Sequence, residues 1–519
     1  MIFQPTKTAR LWDTWMVLHQ DIHHLFYLAH DGSSDTRRYN CIALATSEDG
    51  VHYEDRGPVV RKRAQRGGMG TGFTWKVGDT FYMDFSEPPS ARDGIHFARS
   101  KDLLNWERLG PEYDCCADPR WYITDTPERK RPFGRWDHIY AIERPDGGYV
   151  GYCVGKPHLV RPGIEYESVG KAESDDGIHW RSAPPPEIDW GDWPALNLGE
   201  VAAIEPIDGR YYLLVGGKLF KLGYRQMSHI SGAREGYNVY VADSPDGPFR
   251  PDTGGFRLLD SCNNSTHFPR FYRTPDDLLL CHHSIDRPRR YWHNTAHHEN
   301  AQVWFPPVKR VRCDTQGHLH LDWWPANAAL KGSPITIDLS AGEVRYPPPS
   351  QCLRGEWALR SDCWDADEPL GAGLLELPVT FPAEGGFLIE CRAAITPAEE
   401  RWAALGFYIE TEKEYSDSDL DGVAVLLSTR GVTEAGDFIL NHPYYGGSFN
   451  TFDTTHRGIT PVEEHHLRLL LRNGMIELYR DNELTQALTL PGKATGTLGL
   501  VFESGRAVFR DVRAWRFAP

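Results

Sequence analysis

Three acids stand out by where they sit. Asp13 lies in Leu11-Trp12-Asp13-Thr14-Trp15, Asp137 in Arg135-Trp136-Asp137-His138-Ile139-Tyr140, and Glu200 in Gly199-Glu200-Val201-Ala202-Ala203-Ile204. Each opens a strand-like run beside apolar or aromatic residues. A carboxylate there is costly unless it is paired or used in chemistry. Two carboxyl groups flanking an acetal bond can cleave it. One protonates the leaving oxygen, and the other attacks the anomeric carbon or activates water. A third can hydrogen-bond a substrate hydroxyl and stabilise the positive charge of the transition state. One acid at a strand start is ordinary, but three at equivalent places of a repeat call for a reason.

The repeat is what must position them. A short segment leads into a strand, a turn follows, and then comes a second strand rich in aromatics. The copies begin at Trp12, Trp75, Trp136, Glu200 and His267. Their second strands are His23–Leu28, Phe81–Phe85, Tyr149–Tyr152, Tyr211–Leu214 and Leu278–Leu280. Trp12 to Trp75 is 63 residues, Trp75 to Trp136 is 61, Asp137 to Glu200 is 63, and Glu200 to His267 is 67. Five units of that length, each with about four short strands, predict a five-bladed β-propeller. A second signature recurs as Ser47-Glu48-Asp49-Gly50, Ser100-Lys101-Asp102-Leu103, Ser174-Asp175-Asp176-Gly177 and Ser244-Pro245-Asp246-Gly247. It reads as outer-strand hairpins, with Asp-Gly supplying positive φ and a following aromatic packing the turn down.

In a propeller the innermost strands line a central funnel, so their first residues converge. Trp12, Trp15, Trp75 and Trp136 are therefore expected near the funnel mouth, where indole faces can stack on sugar C–H surfaces. Arg135 is placed to hold a sugar hydroxyl or the Asp137 carboxylate. His267 and Arg270 open the fifth unit and are expected to finish the pocket, with Asn263 and Asn264 on a loop just before it. The group His293, His297, His298 and Glu299 lacks the helical spacing of a zinc motif and reads as loop histidines, so no metal or other cofactor is expected.

Beyond residue 335 the repeat fades, and Pro347-Pro348-Pro349 marks a boundary. Alternating strands resume, among them Phe387–Arg392, Leu405–Ile409, Val423–Leu427, Leu467–Leu471 and Ile476–Arg480. The expected organisation is all-β: a propeller over 1–335, a linker over 336–350 and a β-sandwich over 351–519. Lys and Arg number 56 against 72 Asp and Glu, a net charge of −16. That balance disfavours nucleic acid as a partner, and the short run Arg61-Lys62-Arg63 reads as a solvated loop. No window approaches the ~18 apolar residues of a membrane span. The ten cysteines are scattered, without a CxxC motif, and the N-terminus reads as neither signal peptide nor anchor. Both features point to a cytoplasmic protein.

The order Asp, Asp, Glu on units 1, 3 and 4, with a sandwich behind, resembles glycoside hydrolase families 32 and 43. The stretch Ile476-Glu477-Leu478-Tyr479-Arg480-Asp481-Asn482, followed by Thr497-Leu498-Gly499-Leu500, is similar to the family 32 sandwich. Ser100-Lys101-Asp102-Leu103-Leu104-Asn105-Trp106 matches a segment common in both. The resemblance implies Asp13 as nucleophile or base, Asp137 as transition-state stabiliser and Glu200 as general acid. It implies an exo-acting glycosidase on a furanoside, with fructofuranoside ahead of arabinofuranoside and a short oligosaccharide as substrate. Family 32 implies retention of configuration and family 43 inversion. The alternatives are a family 43-like arabinofuranosidase or xylosidase, a glycosyltransferring relative such as a fructosyltransferase or phosphorylase, and a non-catalytic sugar-binding propeller. A phosphorylase needs a basic cluster for phosphate near Glu200, and the adjacent Asn197–Ala202 offers none.

Overall fold

A computed structural model describes residues 1–33, 39–88, 90–125, 134–158, 168–189, 197–218, 236–255, 257–260, 266–286, 302–345, 357–399, 401–412, 422–439, 448–490 and 492–519. Among these the regular structure is almost wholly β, with one α-helical turn at Ser90–Asp93 and a few 3₁₀ turns. The chain divides into two compact units: Ile2–Ile285 with His298–Trp324, and Pro325–Pro519 with Met1 and Asp286–His297.

The first unit is built from consecutive antiparallel sheets. Sheet one holds β1 (Arg10–His19), β2 (Ile22–His30), β3 (Cys41–Ser47) and β4 (Glu54–Arg61) in that order. Sheet two holds β5 (Gly72–Val77), β6 (Thr80–Ser86), β7 (Ile95–Ser100) and β8 (Glu107–Arg108). Sheet three holds β9 (Trp136–Glu143), β10 (Tyr149–Gly155), β11 (Ser168–Ser174) and β12 (Arg181–Ala183). Sheet four holds β13 (Asn197–Ile207), β14 (Arg210–Lys218), β15 (Gly236–Ala242), β16 (Arg250–Pro251) and β17 (Arg257–Asp260). These four are discrete sheets. The fifth repeat pairs β18 (Thr266–Arg273) with β19 (Leu278–Asp286). Past the short β20 (Gln302–Trp304), β19 also pairs with β21 (Lys309–Cys313), and β21 with β22 (Leu319–Trp323). This fifth repeat is not delimited as a separate sheet.

The first strands close a ring. β1 touches β5, β5 touches β9, β9 touches β13, β13 touches β18, and β18 returns to β1. Five repeats therefore surround one axis, the arrangement expected of a propeller. The strands form because branched and aromatic residues fill both faces: every residue of β3 is buried, and β2 is buried from His23 onward. The turns follow the sequence. Asp208 and Gly209 both take positive φ (49° and 80°) between β13 and β14, as a two-residue hairpin requires. In the outer hairpins the serine and aspartate replace missing backbone partners. Ser47 Oγ accepts the Gly50 N–H, and Asp49 Oδ1 accepts those of Val51 and His52. Ser174 and Asp176 repeat the pattern around Gly177.

The second unit is a β-sandwich around one apolar core. Trp364, Phe387, Ile389, Leu405, Phe407, Leu469, Leu478, Leu500 and Phe509 are fully buried in it. Its last strand, Ala494–Phe517, is 24 residues long and pairs in turn with Ala404–Thr411, Cys363–Glu376 and Phe387–Pro397. The expected proline boundary, Pro347–Pro349, lies outside the described residues.

Candidate active site

Each acid stands where an innermost strand breaks step with its neighbour. Trp12 pairs with Leu28 and Thr14 with Tyr27, so Asp13 is the extra residue of a bulge in β1. Asp137 pairs with Val154 and Tyr140 with Tyr152, leaving His138 and Ile139 opposite Cys153 alone. β13 slips just before Glu200 and again after Val201. β18 slips after His267, between His267 and Arg270. A bulge bends a strand and re-aims a side chain. Here four of the five inner strands use one at the same level. His138 and Phe268, both inside bulges, have positive φ (38° and 59°).

The bulges bring the three acids together, around Arg135. One guanidinium nitrogen of Arg135 lies 3.0 Å from Asp137 Oδ2 and 3.4 Å from Glu200 Oε2. The other Asp137 oxygen accepts a short hydrogen bond from Ser86 Oγ. That approach requires glycine nearby, since a β-carbon on Gly70 would fall 2.1 Å from Ser86 Oγ and 3.1 Å from Asp137 Oδ1. The Asp137 and Glu200 side chains are each 13% exposed and Arg135 31%. Asp13 is buried more deeply, with Oδ1 shielded from solvent and 3.7 Å from His267 Nε2. Burial pushes the Asp13 carboxyl well above its ordinary value, helped by the charges of Glu200 and then Asp137. Arg270 and Arg135 oppose that shift. The three carboxyl groups therefore share one electrostatic neighbourhood.

His267 is held by Tyr237, whose hydroxyl is 2.8 Å from its Nδ1 and also accepts the Phe268 N–H. Trp12 lies against His267 and His283, with ring centroids 5.4 and 4.5 Å apart, so its indole borders the Asp13 side of the site.

The other expected pocket aromatics are placed differently. Trp15 is fully buried, donates to Thr74 Oγ1 and stacks on Phe26. Trp75 donates to the Gly177 carbonyl and packs among Tyr82, Phe97 and Trp180. Trp136 donates to the Cys115 carbonyl and packs on Tyr122. Each indole N–H reaches a partner outside the sheet that carries it. These partners are carbonyl or hydroxyl groups inside the protein, which is how large aromatics are stably buried. Arg270 also departs from expectation. It is completely buried, donates to the Ala202 carbonyl, and lies over the Phe268 ring at 4.1 Å. Burial lowers it to about 10. It is a buried countercharge rather than a sugar contact.

One carboxylate was not anticipated. Asp84 on β6 is fully buried, and its two oxygens accept the N–H groups of Phe73 (2.7 Å) and Ile139 (2.6 Å). Ile139 belongs to the bulge that follows Asp137, so Asp84 braces that strand from the neighbouring blade. The one signal in the sequence is an acid inside the apolar run Phe81-Tyr82-Met83-Asp84-Phe85. Asn263, Asn264, His293, His297, His298 and Glu299 lie outside the described residues. Among the described residues, no three His, Cys, Asp or Glu side chains are arranged to hold a metal ion.

No family model matches the sequence, and no curated protein matches it. Solved structures do match the fold. Fructan 1-exohydrolase IIa from Cichorium intybus aligns over 99% of this chain and 96% of its own, with TM-score 0.62 and 14% identity. Sucrose-6-phosphate hydrolase from Lactobacillus gasseri aligns over 98% and 91%, with TM-score 0.60 and 12% identity. A GH32 β-fructofuranosidase from Bombyx mori aligns over 98% and 92%, with TM-score 0.57 and 11% identity. The chain has the fold of these glycosidases along nearly its whole length.

Proposed function

We propose that this protein is an exo-acting glycoside hydrolase that removes β-fructofuranosyl units from short oligosaccharides. The observation that carries the reading is the convergence of Asp13, Asp137 and Glu200 from three blades, with Arg135 bridging two of them. The likeness in fold supports the substrate class, since a variant of the Bombyx enzyme is solved with sucrose and a variant of the Cichorium enzyme with 1-kestose. Retention fits the same likeness. Asp13 attacks the anomeric carbon while Glu200 gives its proton to the departing oxygen. Glu200 then takes a proton from water, which attacks the same carbon and releases Asp13. Asp137 faces the positive charge that develops in between. Burial favours the neutral form of Asp13. Attack requires its carboxylate, which the charges of Arg270 and Arg135 favour. We place the reaction in the cytoplasm, where the eight free cysteines among the described residues stay reduced.

The test is a screen of nitrophenyl furanosides and pyranosides alongside sucrose and short fructans, with proton NMR of the first-formed anomer. Release of fructose with retained configuration is expected. Turnover confined to pyranosides would overturn the substrate class, and an inverted first product would overturn the role of Asp13 as nucleophile.

A further inference from the structure

The bulge after Asp137 contains a residue that the chemistry above does not use. His138 is a non-glycine residue with φ of 38°, a region that asparagine, aspartate and histidine enter more readily than other side chains. Its imidazole is fully buried, and Nε2 lies 2.7 Å from the carbonyl oxygen of Val201. A carbonyl only accepts, so Nε2 carries the proton. Nδ1 is buried without a hydrogen-bond partner, and the ring packs edge-on against Phe268 with centroids 5.2 Å apart. Burial, with the charges of Arg270 and Arg135, holds the ring well below the ordinary histidine range, so it is neutral. A buried, neutral, singly bonded imidazole in a strained backbone conformation needs a compensating purpose.

Its position supplies one. His138 directly follows Asp137, and Val201 directly follows Glu200. The hydrogen bond therefore joins the backbones of two of the three acids one residue beyond each. Both ends are anchored from other blades. Ile139 donates to Asp84 from β6, and the carbonyl after Val201, that of Ala202, accepts from Arg270 of β18. His138 is thus the direct link in a chain of side-chain-to-backbone bonds running from the second blade to the fifth.

We infer that His138 is a positioning residue, a strut that fixes the separation of Asp137 and Glu200. This rests on the glycosidase reading for its kinetic consequence but not for its geometric one. A displacement of about 1 Å in a reacting group can cost on the order of 100-fold in rate. The substitution His138→Asn keeps a residue tolerant of positive φ but is too short to reach Val201. His138→Gln restores an N–H donor at about the reach of Nε2.

The experiment combines crystal structures of wild type, H138N and H138Q with their kinetics on the substrate that wild type turns over fastest. H138N is expected to shift the Asp137–Glu200 carboxyl separation by more than about 0.5 Å, the tolerance of a working site. It should lower kcat about 100-fold, with KM changed less than threefold. H138Q should restore the separation and at least a tenth of the wild-type kcat. An unchanged separation in H138N overturns the strut, even if wild type proves inactive on every substrate in the screen. So does a kcat within threefold of wild type. If H138N does not fold, H138Q decides alone: it overturns the strut if its amide bonds Val201 while kcat stays 100-fold down.

Discussion

The second and third blades carry the same repeat to opposite ends. In the second, β5 pairs with β6 from Gly72 to Val77 without a break in register, and it brings no acid to its start. The buried aspartate of that blade, Asp84, lies one strand out, and both of its oxygens are bonded to backbone N–H groups. In the third blade, β9 breaks register, His138 takes a left-handed conformation, and Asp137 meets side chains instead: Ser86 and Arg135. A carboxylate saturated by backbone donors serves the fold. One held by side chains at a partly open surface can be turned to chemistry. The regular blade supplies the anchor, and the irregular blade supplies the reactive group.

The largest effect that could break this contrast is on turnover. Asp13→Ala and Glu200→Ala should each lower kcat by at least about 100-fold, since nucleophilic and acid–base contributions are each of that order or more. Asp137→Asn should be comparably severe, because its charge is matched only in the transition state. Steady-state kinetics on folded variants check this. Near-normal turnover by any of the three would mean that the bulges aim carboxylates for some other purpose.

Asp84 should respond in stability. Asp84→Ala leaves the N–H groups of Phe73 and Ile139 buried without an acceptor, at about 1–3 kcal/mol each. A loss of roughly 2–6 kcal/mol in urea unfolding is expected, and Asp84→Asn, which keeps one acceptor, should lose about half as much. A stability within about 0.5 kcal/mol of wild type would show that the second blade does not brace the third in this way.

The aromatics sharpen the comparison further. Trp75→Phe removes the hydrogen bond to Gly177 and part of a buried ring, for a loss of about 1–2 kcal/mol with kcat/KM held within twofold. A tenfold fall in kcat/KM at unchanged stability would return Trp75 to the pocket.

The sequence made the repeat and the three acids legible because both depend on spacing along one chain. The intervals of 61 to 67 residues survive every local irregularity, and the acids fall at the same phase of each copy. Trp75 and Trp136 keep the same spacing and Trp15 lies close to the first copy's start, yet their partners Gly177, Cys115 and Thr74 come from stretches that no local pattern reveals. Arg270 misled in the same way, because its partner is the carbonyl of Ala202 one blade earlier. Asp84 was hidden because its partners are backbone N–H groups, which any sequence supplies. The bulges were hidden too, since a break in register is a property of two strands.

The smallest predicted effect tests whether Asp13 pays for its place. Its carboxyl is raised in the fold, chiefly by burial and then by Glu200 and Asp137. The folded chain therefore holds that proton more tightly than the unfolded chain does. This preference favours folding fully below the ordinary carboxylate value, near pH 4, and is lost as pH rises through the raised value. Asparagine has no proton to lose. Asp13→Asn should thus match wild type in stability near pH 4 and gain on it progressively as pH rises through the raised value. The other ionisable groups are common to both proteins and largely cancel in the difference. Urea unfolding of both at pH 5 and pH 8 measures it. A difference that shrinks with pH, or reverses, would mean that Asp13 is held as a stable carboxylate, with Arg270 and Arg135 outweighing burial. An Asn variant that is both inactive and more stable at pH 8 would show a site whose chemistry is kept at the expense of the fold.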